Sequence, residues 1–211
     1  MTDIMIIGGG GHAKVVATLL KKHGDWNPIG YTDTTNHGPL LGLPYLGTDD
    51  IIPELMRSHR MKNAVLGLGM VDLSKHRAEV IRKIKNFGLI LPAIFSPQSI
   101  INESTVVGEG SLIMDGAILQ PGVHIGCYSI INTGVVLDHD CTIGDQVHIA
   151  PGVSLSGGVK LGDNVLVGTG ASIVQGLIVS DNVLVGAGAV VASDIQMPGT
   201  YVGVPAKLKD L

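Results

Sequence analysis

Residues 101–126 read INESTVVGEGSLIMDGAILQPGVHIG, and within them Ile101, Val107, Ile113, Leu119 and Ile125 stand six apart. The series runs on without a slip through Ile131, Leu137, Ile143, Ile149, Leu155, Leu161, Val167, Ile173, Val179, Val185 and Val191, and every member is aliphatic. An amphipathic helix repeats apolar residues at about 3.6 and a half-buried strand at about 2. A period of six fits neither. It fits a parallel β-helix, in which each short strand stacks on the one a full coil earlier. Two residues before each aliphatic the side chain is small or β-branched, as at Ala117, Val123, Ser129, Val135 and Cys141; only Leu177 is larger. Glycine recurs at Gly108, Gly126, Gly144 and Gly162, eighteen apart. Three hexapeptides then make one coil of a triangular prism with three flat sheets. Glycine at the corners is expected to supply unusual backbone angles.

Before Ser99 the pattern changes. Asp3–Ile7, Ile29–Thr32 and Asn63–Gly67 read as strands, with Leu89–Leu91 as a last one. His12–His23, Asp50–Ser58 and Leu73–Asn86 read as helices, the last stopped by Gly88. This alternation predicts a small doubly wound α/β unit with a parallel sheet. The expected domains are residues 1–97, Rossmann-like, and residues 98–211, a β-helix with a C-terminal cap. Ligands approach such sheets at the carboxyl ends of strands, here Gly8 to His12, Asp33 and Gly69. Gly8 to Ala13 also satisfies G-x-G-x-x-G/A, with an acid ending the second strand. Three readings stand: a dinucleotide site, a tight turn with no ligand, or a nucleotide phosphate resting on the helix N-terminus.

Composition narrows the class. Of 211 residues 45% are hydrophobic but only 3% aromatic, which suits a narrow prism filled by Ile, Val and Leu. The net charge is −4 and no basic run interleaves with aromatics, so no nucleic-acid partner is expected. The apolar run Ile4–Ile7 is too short for a signal peptide or a membrane span, which predicts a cytoplasmic protein without membrane insertion. The two cysteines make no disulfide framework. Cys141 holds an inward position and Cys127 a corner. His124, His139 and His148 are separated by fifteen and nine residues, which is not a metal-ligand spacing, and no metal is expected. His124 and His148 precede inward residues and read as surface. His139 sits at a corner between Asp138 and Asp140. It reads either as an exposed histidine among solvated acids or as an imidazole oriented and made more basic by a carboxylate. Outward Val106, Ile118 and Ile130 put apolar side chains on flat faces that need covering.

MIIGGGGHAKVV at 5–16, INTGVVLDHDCTIGDQVHIAPGVSLSGGV at 131–159 and YVGVPAK at 201–207 together carry a resemblance that spans the chain. It resembles the left-handed parallel β-helix acyltransferases built on hexapeptide repeats. Within them it is similar to the sialic-acid O-acetyltransferase and PglD-like UDP-4-amino-sugar N-acetyltransferase family. The resemblance implies acetyl-CoA as co-substrate, with contacts at His148, Gly157, Thr169 and Ala187. It implies His139 as general base, with Asp140 making it more basic. It places a nucleotide-linked sugar at Gly10, Gly11 and His12, with Asp33 and Thr34 at the base or ribose and Gly69 nearby, so that residues 1–97 bind the nucleotide sugar. It also implies a homotrimer. The expected reaction is acetylation of the amino group of a nucleotide-linked amino sugar by direct transfer. Two alternatives stand beside it: O-acetylation of a free sugar such as sialic acid, and a non-catalytic scaffold or binding module.

Overall fold

The computed structural model describes residues 1–58, 61–73 and 75–209. Position 74, inside the expected Leu73–Asn86 helix, and positions 210 and 211, inside the expected second domain, lie outside the described residues. The chain divides into two compact units, Met1–Gly69 with Ser74–Pro92, and Met70–Leu73 with Ala93–Leu211.

The first unit is a four-stranded parallel sheet with helices between its strands. Its elements run β1 Thr2–Ile7, α1 Gly11–His23, β2 Trp26–Thr32, β3 Tyr45–Gly47, α2 Ile52–Ser58, β4 Asn63–Leu66 and α3 His76–Asn86. The strand order is β3-β2-β1-β4. β1 lies at the centre, and Ile4, Met5 and Ile6 are fully buried, as a central strand of a covered parallel sheet requires. α1 turns Ala13, Val16, Ala17, Leu19 and Leu20 inward. From β1 the chain steps outward to β2 and β3, then crosses back to place β4 on the other side of β1. The carboxyl end of β1 is therefore a switch point, where such sheets open a crevice.

Three expectations need correction, and one strand was not anticipated. β2 begins at Trp26, three residues before the predicted Ile29, because a register shift between Pro28 and Gly30 accommodates a proline that reads as a strand end. β3 is a three-residue edge strand after Pro44 and too short to show alternation. Leu89–Leu91 is not a strand; Ile90 makes one bridge to Asn63. α3 begins at His76 and not Leu73, since Met70–Leu73 belongs to the second unit. The helix does stop as expected: Gly88 has φ 82 and donates its N–H to Lys85 O.

The second unit is the left-handed parallel β-helix. From Ile94–Phe95 to Ser172–Ile173 each coil strand pairs with the one eighteen residues on, as in Ile125 with Ile143, Ile131 with Ile149 and Leu137 with Leu155. The inward series from Ile113 to Val191 is at most 3% exposed, so the six-residue register holds throughout that stretch. Ile101 is 40% exposed because no coil lies before it to close the prism. Buried Ser111 and Ser129 are satisfied within the corner ladder. Ser111 Oγ donates to Gly126 O and accepts from Ser129 N, and Ser129 Oγ repeats the arrangement with Gly144 O and Val147 N. Gly199–Val202 and Lys207–Leu208 form the terminal cap. No helix among the described residues is long and apolar enough to cross a membrane.

The glycine column at 108, 126, 144 and 162 has a different cause from the one expected. None of the four has a positive φ. Their coils approach so closely that a Cβ would collide: at Gly144 it would stand 2.7 Å from the Gly162 carbonyl carbon and would meet the Asp163 carboxylate. That carboxylate accepts the Asp145 N–H at 2.8 Å, and Asp145 and Asp181 do the same for Cys127 and Asp163. Gly144→Ala should therefore destabilise the helix by about 1–3 kcal/mol through overpacking. An unchanged midpoint in denaturant unfolding would contradict the close-approach explanation.

Positive φ instead falls on every sixth residue from Ser104 to Gly188. Most of these are glycine, but Asp140 is among the exceptions, at φ 59. Of the outward apolar residues, Val106 is 54% exposed, whereas Ile130 is only 1% exposed because the same chain already covers that stretch of sheet.

Candidate active site

The β-helix carries the His139–Asp140 pair. Thr142 and Ile143 start the next strand, so Asp138 to Asp140 form a corner and their side chains leave the prism. His139 Nδ1 lies 2.9 Å from Asp140 Oδ2. A carboxylate only accepts, so Nδ1 carries the proton and Nε2 presents its lone pair. Asp138 Oδ1 accepts the His139 backbone N–H at 2.8 Å and fixes the turn. The hydrogen bond to Asp140, with the Asp138 charge adding to it, raises the His139 pKa above the usual histidine value.

The following coil seats the ring. A Cβ on Gly157 would stand 2.5 Å from His139 Nε2 and 2.7 Å from Cε1, so only glycine there leaves room for the imidazole. The coil ladder uses the N–H of Ser156, to Ile173 O, and of Gly158, to His139 O. It skips that of Gly157. The same hexapeptide position is Pro121 and Pro151 elsewhere, and proline has no N–H. The fold does not need that donor, and Gly157 itself is buried beside the His139 ring. Buried Cys141 donates to Ser156 O at 3.3 Å, and burial pushes its thiol pKa up, away from nucleophilic chemistry.

His148 is not the plain surface residue its position predicts. It is half-buried, with Nδ1 2.7 Å from Met70 O and Nε2 3.1 Å from Asn132 Nδ2. Asn132, which the six-residue pattern does not mark, thus joins the site. Thr169 and Ala187 are exposed on later coils. His124 Nδ1 is bonded to Gly122 O at 2.8 Å. Among the described residues no cluster of His, Cys, Asp and Glu could hold a metal ion.

The first unit brings the other expected residues to the carboxyl end of its sheet. The four glycines there differ in what demands them. A Cβ on Gly8 would meet Leu68 at 2.8 Å, and one on Gly9 would run into the Tyr31 ring. Around Gly10 and Gly11 the space is open. Gly10 is the N-cap of α1 with no side-chain cap, and the Ala13 N–H turns back to Gly10 O at 3.1 Å. Asp33 Oδ2 accepts the Gly9 N–H at 2.6 Å, while Oδ1 takes Thr35 N and Thr34 Oγ. Burial pulls its pKa up, but these hydrogen bonds outweigh it and hold the carboxylate below its usual value. Asp33 thus shapes the glycine loop from within. Gly69 lies against His12. A cavity of about 300 Å³ opens here, lined by Gly8, Asp33, Thr34, Leu68, Glu79 and Lys83 among others. That volume is at the small end of ligand pockets. Arg77 on α3 is 7% exposed and donates from Nε to Leu68 O at 3.3 Å, and burial lowers its pKa to about 10.

Known proteins resemble this chain over both of its units. The PglD N-terminal domain model matches residues 3–84, and the bacterial transferase hexapeptide model matches 122–157 and 140–175. A search of curated proteins found no match. Among solved structures, PerB from Caulobacter crescentus, in complex with CoA and GDP-perosamine, is 34% identical over 100% of this chain and 98% of its own, with a TM-score of 0.92. The acetyltransferase domain of PglB from Neisseria gonorrhoeae is 33% identical over 99% and 100%, with a TM-score of 0.90. WeeI from Acinetobacter baumannii is 26% identical over 99% and 100%, with a TM-score of 0.87. The chain belongs to the PglD-like sugar acetyltransferases of the bacterial hexapeptide-repeat class. It is an acyltransferase that uses acetyl-CoA and acts on a sugar.

Proposed function

We propose that the protein acetylates the amino group of a nucleotide-linked amino sugar by direct transfer from acetyl-CoA, with His139 as general base. The observation that carries this reading is the 2.9 Å bond from His139 Nδ1 to Asp140, which leaves Nε2 as the basic nitrogen of a side chain at an exposed corner. A protonated amine cannot attack a thioester. The amine, its ammonium proton already lost to solvent, bonds through nitrogen to the thioester carbon as Nε2 takes one N–H proton; the C–S bond breaks, and the imidazolium gives that proton to the departing CoA sulfur. Gly157 N–H, unclaimed by the ladder, stabilises the oxyanion; such a donor contributes about 2.7–4 kcal/mol. Gly157, Thr169, Ala187 and His148 form the acetyl-CoA track.

The nucleotide-sugar side, the acetyl acceptor, rests on Gly10 and Gly11. The fold does not require glycine at either, whereas close approach of a phosphate to the helix N-terminus does. Asp33 and Thr34 border the space for the base or ribose, with His12 and Gly69 beside the diphosphate. PerB was solved with GDP-perosamine, a ligand of this class. A homotrimer in the cytoplasm completes the reading. Exposed Val106 and Ile178 edge one sheet and would be covered in it.

Calorimetry tests the nucleotide half. A nucleoside diphosphate should bind with micromolar-range affinity, about −7 to −8 kcal/mol. Gly10→Val has room to fold. It should raise the KM for the sugar substrate and leave the KM for acetyl-CoA unchanged. Absence of binding by every nucleoside diphosphate, with free sugars still acetylated, would replace this reading by O-acetylation of a free sugar.

A further inference from the structure

Asp140 has a residue directly beneath it in the eighteen-residue register, and that residue is Gly122. A Cβ on Gly122 would stand 2.6 Å from Asp140 Oδ1. The carboxylate thus occupies the space a side chain at 122 would fill. Pro121 O accepts the Asp140 N–H at 3.1 Å, and His124 Nδ1 holds the Gly122 carbonyl at 2.8 Å. The corner below the reactive pair is therefore bonded to Asp140 through the backbone and shaped around its side chain. Gly158 and Gly176 continue the same column beyond Asp140, so the acid stands in a file of glycines.

We infer that Gly122 is a positioning residue for the reaction: it seats the Asp140 carboxylate against His139 Nδ1, as Gly157 seats the ring from the other side. The inference rests on His139 being the base. It goes beyond that assignment, because Gly122 touches neither substrate nor the imidazole and acts only through Asp140.

Gly122→Ala introduces two disturbances, a side chain at φ 76 and an overlap with Asp140 Oδ1. Gly116→Ala introduces only the first. Its φ is 70 and its nearest neighbour would lie at 3.7 Å, an ordinary contact. The pair separates backbone strain from displacement of the carboxylate.

The readout is the titration of the His139 imidazole, followed by NMR on ring-labelled protein, together with kcat. Asp138 and Asp140 are the titratable groups on the imidazole's own turn. The Ser156–Gly158 turn packed against it carries none, and His124 lies on the preceding coil. Displacing Asp140 removes the bond that raises the His139 pKa. Gly122→Ala should therefore lower that pKa, in the same direction as Asp140→Asn, and cut kcat about tenfold or more with an unchanged KM for acetyl-CoA. Gly116→Ala should titrate as the wild type. In an Asp140→Gly background, which removes the carboxylate and suits the positive φ, Gly122→Ala should cost no further activity.

A His139 titration in Gly122→Ala equal to that in Gly116→Ala, or a further loss of activity in the Asp140→Gly background, would overturn the inference. Should the single variant fail to fold, the Asp140→Gly pair decides alone. His139→Ala assayed alongside keeps the two claims apart. Retained turnover there sinks the base assignment itself. An inactive His139→Ala beside an undisturbed titration in Gly122→Ala sinks only the role of Gly122.

Discussion

His139→Ala lowers acetyl transfer by about 10²–10⁴-fold, the usual contribution of a positioned general base, and leaves folding and CoA binding as in the wild type. The side chain is 54% exposed at a corner, so its removal opens no cavity in the prism. The coil ladder is equally untouched, since the bond from Gly158 N goes to the backbone oxygen of residue 139. The check is thiol release from acetyl-CoA with a nucleotide-linked amino sugar, alongside calorimetry of CoA. Near-normal turnover by the folded variant would remove His139 from the mechanism. Asp140→Asn should act in the same sense but less. The bond to Asp140 raises the His139 pKa. Without it the acid limb of the rate profile moves to lower pH. The rate on the plateau above it falls, because the remaining base is weaker. A limb at unchanged pH would show that Asp140 does not tune the base.

Leu155→Asp leaves no folded β-helix. Leu155 is 1% exposed between Leu137 and Ile173 in the inward file. Its burial contributes about 1.5–3 kcal/mol, and an unpaired charge in that file has no partner within reach and costs more. Ser154 points the other way and is exposed, so Ser154→Asp should melt close to the wild type. Thermal unfolding by circular dichroism compares them. A Leu155→Asp protein that melts normally would mean that the inward register is misplaced.

The two variants also mark what was legible in the sequence. The inward file was, because a strict period of six has one geometric solution and aliphatics at every step fill it. The corner glycines were only half legible. Spacing places Gly126 and Gly144 in one column, but it cannot tell a demand on φ from a demand on space, and the space turns out to decide. Pro28 hid the start of β2 behind a register shift. Ile130 was misjudged because spacing shows which way a residue points and not what covers it. At the site, the bond between His139 and Asp140 was legible because the two are adjacent. Gly122 and Gly157 were not singled out as its supports, although Gly122 lies eighteen residues before Asp140 and the coil length was known. Asp33 was expected to face a ligand. That its carboxylate already grips Gly9 N–H depends on how β2 ends, which no local pattern encodes.

What distinguishes the proposed reaction is the atom that receives the acetyl group. The most direct test incubates the protein with acetyl-CoA and nucleotide-linked amino sugars, with free sialic acid in parallel, and locates the acetyl group in each product by mass spectrometry and NMR. One acetyl is expected on the sugar nitrogen of a nucleotide-linked substrate, formed by the wild type and not by His139→Ala. An acetyl on a hydroxyl of the free sugar, with every nucleotide-linked amino sugar recovered unchanged, would contradict it.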